Sequence, residues 1–172
     1  MSIRLQKASS MPDKIEKIYL NSFPEDERRP LGDLRDKITS GEITLSLIVD
    51  DKDSPIGFIT SWNFNKFCYA EHFAIDSELR SSGYGAKALN LFLKSLSQPV
   101  ILEVAPSGST SDADRRISFY NKNGLEIVDR PYVQPPYSPH LPSVPLYLMS
   151  DDVNIDTKAA AAIIKKHVYR TE

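Results

Sequence analysis

The stretch Arg80-Ser81-Ser82-Gly83-Tyr84-Gly85-Ala86 carries almost no side-chain bulk at its turn. It lies between an apolar run ending at Ile75 and a segment of helical periodicity. Glycine admits backbone angles that other residues avoid. A helix starting near Gly83 leaves its first amide hydrogens unpaired and aimed into the turn, where an anion fits. The chain therefore has to deliver a strand, an anion-binding turn and a helix in that order.

Three kinds of anion-binding loop carry such glycines. A P-loop needs Gly, four residues, Gly, Lys and then Ser or Thr, and no such series occurs. The dinucleotide fingerprint is matched by Gly83, Gly85 and Ala88, with Glu103 at about the right distance for a ribose-binding acid. In that fold, however, an apolar strand runs straight into the first glycine, whereas here Asp76 to Ser82 intervene. An NAD(P)-dependent oxidoreductase is thus the weaker alternative. The third form is Arg/Gln-x-x-Gly-x-Gly/Ala, with Arg80, Gly83 and Gly85 at its fixed positions. With it the chain resembles the GNAT superfamily of N-acetyltransferases, whose cradle holds the diphosphate of coenzyme A. Downstream, Arg115-Arg116-Ile117-Ser118-Phe119-Tyr120-Asn121-Lys122-Asn123-Gly124-Leu125-Glu126-Ile127 is similar to the second signature of that superfamily: a short helix ending in Phe-Tyr, three residues, Gly, then an apolar strand. Asn123-Gly124 supplies a left-handed stop between the two. Ala113 and Arg116 stand where many relatives carry Asn and a small residue, so no coenzyme contact is assigned there.

Periodicity predicts a strand near Ile3 to Lys7, helices within Pro12 to Ser22 and Leu31 to Thr39, and strands Ile43 to Val49, Ile56 to Asn63 and Phe67 to Ile75. A helix from Gly83 to Leu96 follows, with Ala86, Leu89, Leu93 and Leu96 on one face. Strand Val100 to Val104 comes next, then a further helix and strand. Antiparallel strands followed by helical crossovers predict a mixed α/β (α+β) sheet with helices on both faces. This agrees with the GNAT-like acyl-CoA N-acyltransferase fold, whose mostly antiparallel sheet splays open at the cofactor site. The resemblance covers about Ile3 to Met149.

A chain of 172 residues with 41% apolar content supports one core, expected within residues 1–150. Net charge is −2 with dispersed basic residues, which argues against a nucleic-acid partner. The polar amino terminus and the lack of a long apolar run argue against a membrane and for a cytoplasmic protein. The single cysteine, Cys68, reads as a small core residue. No metal-ligand spacing is present.

The resemblance implies transfer of an acetyl group from acetyl-coenzyme A to a primary amine of a small molecule or peptide, by direct attack. A coenzyme A-binding sensor without turnover is the non-enzymatic alternative. The diphosphate is expected on Arg80, Ser81, Ser82, Gly83, Tyr84, Gly85 and Ala86, and the pantetheine arm along Phe73, Ala74 and Ile75. An alkylammonium of pKa about 10.4 costs about 4.6 kcal/mol to deprotonate at pH 7, so a base or a desolvated site is required. Strict alternation puts Glu71 on the face of Tyr69, Phe73 and Ile75, where aromatic neighbours should raise its pKa. It is the first candidate base, the alternative being a structural ion pair. His72, on the opposite face with Ala70 and Ala74, is another candidate. Glu103, an acid inside an apolar strand, is a third. Tyr120 matches the position at which many GNAT enzymes place a tyrosine that protonates the departing thiolate and contacts the cofactor.

Phe23 to Pro30 clusters acids and arginines that either orient a charged acceptor or cap a helix. Arg130 to Pro142 contains five prolines, and its tyrosines with His140 suit a stiff lid over the acceptor. Residues 151–172 read as a linker and an amphipathic helix. Asp156 is its cap, and its face of Ala160, Ile163, Ile164 and Val168 is to be buried on its own domain or in a homodimer.

Overall fold

In the computed structural model, which describes residues 2–171, the chain runs β1 (Ile3–Ala8), α1 (Asp13–Ser22), α2 (Leu31–Ser40), β2 (Thr44–Asp50), β3 (Pro55–Asn63), β4 (Cys68–Ile75), α3 (Tyr84–Ser95) and β5 (Val100–Val104). It continues with α4 (Ala113–Lys122), β6 (Glu126–Asp129), β7 (Val133–Gln134), β8 (Val144–Pro145), β9 (Tyr147–Ser150) and α5 (Thr157–His167). The main sheet has the order β1-β2-β3-β4-β5-β9-β6, and β7 with β8 forms a small hairpin inside the proline-rich stretch. Strands β4 and β5 run parallel, while the other described neighbours in the main sheet are antiparallel.

Helices cover both faces, so the inner strands β2, β3, β4, β5 and β9 bury both of their side-chain rows, while the edge strands β1 and β6 do not. One face carries α1, α2 and α5, with Ile15, Tyr19, Leu34 and Ile164 packed on Leu45, Phe58, Trp62 and Tyr69. The other carries α3 and α4, with Leu89, Phe92 and Ile117 packed on Ile59, Leu102 and Met149. The buried stripe of α3 is Ala88, Leu89 and Phe92, rotated from the expected row through Ala86, Leu93 and Leu96, all three of which are only partly buried. Helix α5 is capped as expected, Asp156 accepting from the Ala159 amide at 3.0 Å. Ala160, Ile164 and Val168 are buried in the same core as α1 and α2, so this apolar face is covered by its own chain.

Two irregularities shape the middle of the sheet. Strands β4 and β5 pair at Cys68–Val100, Tyr69–Ile101 and Ala70–Leu102; beyond that rung both continue without a ladder between them. In the β3–β4 ladder, Thr60 pairs with His72 and Ser61 with Ala70, which leaves Glu71 as the extra residue of a β-bulge. The bulge corrects the alternation reading. Glu71 and His72 both project toward α1 and α2, Glu71 to Trp62 and His72 to the Tyr19 ring at 5.1 Å. Phe73 and Ile75 project to the opposite face, against α3 and α4.

Candidate active site

The turn before α3 is held open by backbone geometry. Ser81 and Gly83 both have left-handed φ, 67° and 86°. Arg80 braces the turn: its Nε donates to the Ile75 carbonyl at 3.0 Å and its Nη2 to Ser22 Oγ at 3.0 Å. The first helical bond runs from the Lys87 amide to the Gly83 carbonyl, and no side chain caps the helix. The amides of Tyr84, Gly85 and Ala86 are thus left without a helical partner at the positive end of a twelve-residue helix. A Cβ at Gly83 would meet nothing within 4 Å, and Arg80, Ser81, Ser82 and Gly83 are exposed. Next to this turn, the edge of β4 from Glu71 to Ile75 that faces β5 has lost its ladder partner, Phe73, Ala74 and Ile75 included.

On the α3–α4 face, Tyr120 lies in the last turn of α4, its ring 5.3 Å from Phe119, which in turn lies 6.4 Å from Phe73. Burial pushes the Tyr120 hydroxyl up to about 12, with Arg116 acting weakly the other way.

On the α1–α2 face two carboxylates flank the opening. Ala70–Leu102 is the last β4–β5 rung, and Glu71 and Glu103 are the next residues of the two strands. Glu103 accepts from Tyr69 OH at 2.5 Å and Tyr169 OH at 2.6 Å on Oε1, and from Tyr132 OH at 2.5 Å on Oε2. The Glu71 side chain is wholly buried. It accepts from Trp62 Nε1 at 2.7 Å, Tyr137 OH at 2.6 Å and Arg29 Nη2 at 3.2 Å. The Tyr137 and Tyr169 hydroxyls lie 3.5 Å apart and close the circuit between the two carboxylates. Arg29 also donates to Asp33 at 2.6 Å and to the Val168 carbonyl at 2.8 Å, with its guanidinium 5.5 Å and 5.2 Å from the Trp62 and Tyr137 ring centres.

The two acids are driven in opposite directions. Burial lifts Glu103, three tyrosine hydrogen bonds pull it back and Glu71 adds repulsion, leaving it raised to about 7. Burial also acts on Glu71, but Arg29, His72 and the hydrogen bonds from Trp62 and Tyr137 outweigh it and hold the carboxyl below its ordinary value. The expectation of a raised Glu71 is therefore overturned, because the guanidinium provided by the loop before α2 reverses the effect of the aromatic surroundings. Burial holds His72 below its ordinary value. Its Nε2 lies 3.2 Å from the Glu27 carbonyl and its Nδ1 has no partner among the described residues.

Sequence reasoning singled out Glu71, Glu103, His72 and Tyr120, and the tyrosines of the proline-rich stretch do reach the carboxylates; His140 is exposed and makes no such contact. It missed Arg29 as an individual, Trp62 and Tyr169. The signal for Tyr169 was its place directly after the 160/164/168 stripe of an amphipathic helix. A cavity of about 290 Å³, lined by Arg29, Pro30, Asp33, Tyr137, Val168, Tyr169 and Arg170, leads from solvent to Tyr137 and Tyr169, each one hydrogen bond from a carboxylate.

Residues 13–125 match the model of the Acetyltransferase (GNAT) family. An acetyltransferase of the GNAT family from Bacteroides thetaiotaomicron is 34% identical, with a TM-score of 0.88 over 98% of this chain and 99% of that one. A Bacillus subtilis acetyltransferase in complex with CoA shares the fold at 14% identity, with a TM-score of 0.62 over 88% and 99% of the two chains. A GNAT family acetyltransferase from Elizabethkingia anophelis with acetyl-CoA bound does so at 14% identity, with a TM-score of 0.60 over 86% and 96%. No curated protein sequence matches this one.

Proposed function

Because the chain belongs to the GNAT acetyltransferase family, we propose that it transfers the acetyl group of acetyl-coenzyme A to a primary amine that enters between α2, Tyr137 and the end of α5. The observation that carries this reading is the alignment of three features along one gap. These are an open anion turn at Gly83, a β4 edge stripped of its partner, and a carboxylate pair at the point where the strands part.

The turn fits a diphosphate. Bare amides of Tyr84, Gly85 and Ala86, open space over Gly83 and the exposed hydroxyls of Ser81 and Ser82 supply donors without steric obstruction, while Arg80 keeps the turn in shape. The free edge at Phe73, Ala74 and Ile75 suits an extended amide-bearing arm added as a strand. Bound there, acetyl-coenzyme A supplies an activated acetyl thioester; the CoA and acetyl-CoA complexes of the Bacillus subtilis and Elizabethkingia anophelis proteins support its use.

The remaining chemistry is assigned to side chains. Tyr120, on the α3–α4 side, holds the proton destined for the departing sulfur. With a hydroxyl near 12 against a thiol near 8.5, that transfer is uphill by about 5 kcal/mol before the thiolate is itself desolvated, which narrows the gap. Glu71 stays ionised in its pair with Arg29, which offsets its charge, and together with Glu103 and the tyrosine hydroxyls it replaces the hydration the amine loses on entry.

The test is thermal unfolding with acetyl-coenzyme A, coenzyme A and NAD at matched concentrations, followed by thiol release over a panel of primary amines. A ligand at about 100 times its dissociation constant adds about 2.7 kcal/mol, or about 5–10 °C for a chain of this size. A shift with the coenzyme A species but not NAD, together with amine-dependent thiol release, is the expected result. A shift with NAD alone refutes the reading, and so does binding of coenzyme A without turnover of any amine.

A further inference from the structure

Resting on the acetyltransferase reading, we infer that the C-terminal helix completes the acceptor site, with Glu103 taking the proton of the incoming primary ammonium and Tyr169 acting as the positioning residue that sets its proton affinity. The family match ends at residue 125, yet Tyr132, Tyr137 and Tyr169, three of the hydroxyls that line the carboxylate pair, lie beyond it.

The division between the two carboxylates follows from their partners. Glu71 is neutralised by a guanidinium, so a proton leaving an amine gains little there. Among the described residues Glu103 faces only neutral phenols at hydrogen-bond distance, and the residue retains some solvent exposure. The groups that face it are Tyr69 and Glu71 from β4, Tyr132 and Tyr137 from the proline-rich stretch, and Tyr169 from the end of α5. Arg29 stands behind Glu71, and Lys165 lies 5.6 Å from the centre of the Tyr132 ring. An affinity near 7 makes Glu103 a better proton acceptor than an ordinary glutamate near 4.5 by about 300-fold.

Tyr169 is held rather than loosely draped. After α5, the Val168 and Tyr169 amides donate to the Ile164 carbonyl, Arg170 takes a left-handed φ of 55°, and the Thr171 amide returns to the Lys165 carbonyl at 2.9 Å. This cap ties one helix end to both acids, to Glu103 through the Tyr169 hydroxyl and to Glu71 through the Val168 carbonyl and Arg29.

The ammonium enters through the cavity that Arg29, Tyr137 and Tyr169 line and displaces a hydroxyl from Glu103. One N–H proton passes to the carboxylate, leaving a neutral amine. The nitrogen lone pair forms the N–C bond to the acetyl carbon as the C–S bond breaks. Tyr120 gives its proton to the thiolate and regains an equivalent of the second proton lost by nitrogen, and Glu103 returns its own to solvent, so the net products are the acetamide, the free thiol and one proton.

The test combines a titration that needs no acceptor with a kinetic profile. In protein carrying carboxyl-¹³C glutamate, a carboxyl titrating near neutral pH is expected in the unaltered chain, absent in Glu103→Gln and moved upward in Tyr169→Phe, because one donor to the charged form is lost. The acidic limb of kcat/KM for thiol release should follow that midpoint and move with it, and Glu103→Gln should lower kcat/KM by about 100-fold or more. Equal activity in Glu103→Gln, or an unmoved limb in a folded Tyr169→Phe, overturns this inference while leaving the acetyltransferase intact. Coenzyme A binding without turnover of any amine in the unaltered protein overturns both.

Discussion

Replacing Arg29 by Met removes the cationic side of a deeply buried ion pair. Arg29 is 4% exposed, and the Glu71 side chain it pairs with is fully buried, so the substitution strands a carboxylate where water does not reach it. Breaking a buried pair from one side costs about 3–5 kcal/mol, and the lost bond to the Val168 carbonyl adds about 1 kcal/mol. At about 2–4 °C per kcal/mol for a chain of this length, the combined loss of about 4–6 kcal/mol should lower Tm near pH 7.5 by about 8–24 °C. The sign of the pH dependence follows from the two states of Glu71. In the unaltered protein its folded pKa is depressed, so its contribution is present above the unfolded value and is lost as pH falls through the folded one. Without Arg29, burial alone remains and lifts the carboxyl. The penalty is then complete above the raised pKa and relieved below it, so the loss should shrink by about 2 kcal/mol between pH 7.5 and pH 5. Urea unfolding at both pH values measures this, and a cycle with Glu71→Gln should give a coupling of about 2 kcal/mol or more. A loss under about 1 kcal/mol, or the same loss at both pH values, refutes the reasoning.

Gly57→Ala should destabilise by about 2–3 kcal/mol in urea unfolding, since its Cβ would sit 2.5 Å from the Ala74 carbonyl oxygen and 2.9 Å from Ile75 Cδ1. Gly85→Ala, whose Cβ would lie 3.5 Å from the Phe119 ring, should stay within about 1 kcal/mol. Tyr120→Phe should reduce kcat by about 100-fold without moving any limb of the rate profile below pH 9, because a hydroxyl near 12 stays protonated throughout that range; a shifted limb would count against its role. Cys68, buried and pushed up to about 11, should react with a disulfide reagent at pH 8 only as fast as the protein unfolds, about one molecule in a thousand being thiolate.

Much of the fold was legible because its signals are local. The bare turn at Gly83, the stop at Gly124 and the cap at Asp156 are decided by residues within a few positions of each other, and each stands where it was read, with φ of 86° and 92° at the two glycines. The GNAT resemblance rested on the same short spans. Reading side-chain rows went less well wherever a long-range ladder intervened. The bulge at Glu71 exists because β3 offers Thr60 and Ser61 on either side of it, and nothing within β4 announces that. One inserted residue then reversed the faces assigned to Phe73 and Ile75 relative to Glu71.

The sequence by itself determined that two acids would interrupt apolar strands beside the gap and that tyrosines would be available to meet them. Only the tertiary structure decided which acid is charged. Glu103 collects its hydroxyls across 34, 29 and 66 residues of chain, and Glu71 collects its guanidinium across 42. A carboxylate's proton affinity is set by burial and by the charges within a few ångströms, quantities that exist once distant segments have packed. The same helix end that closes the core thereby provides the tyrosine for one acid and the brace for the partner of the other.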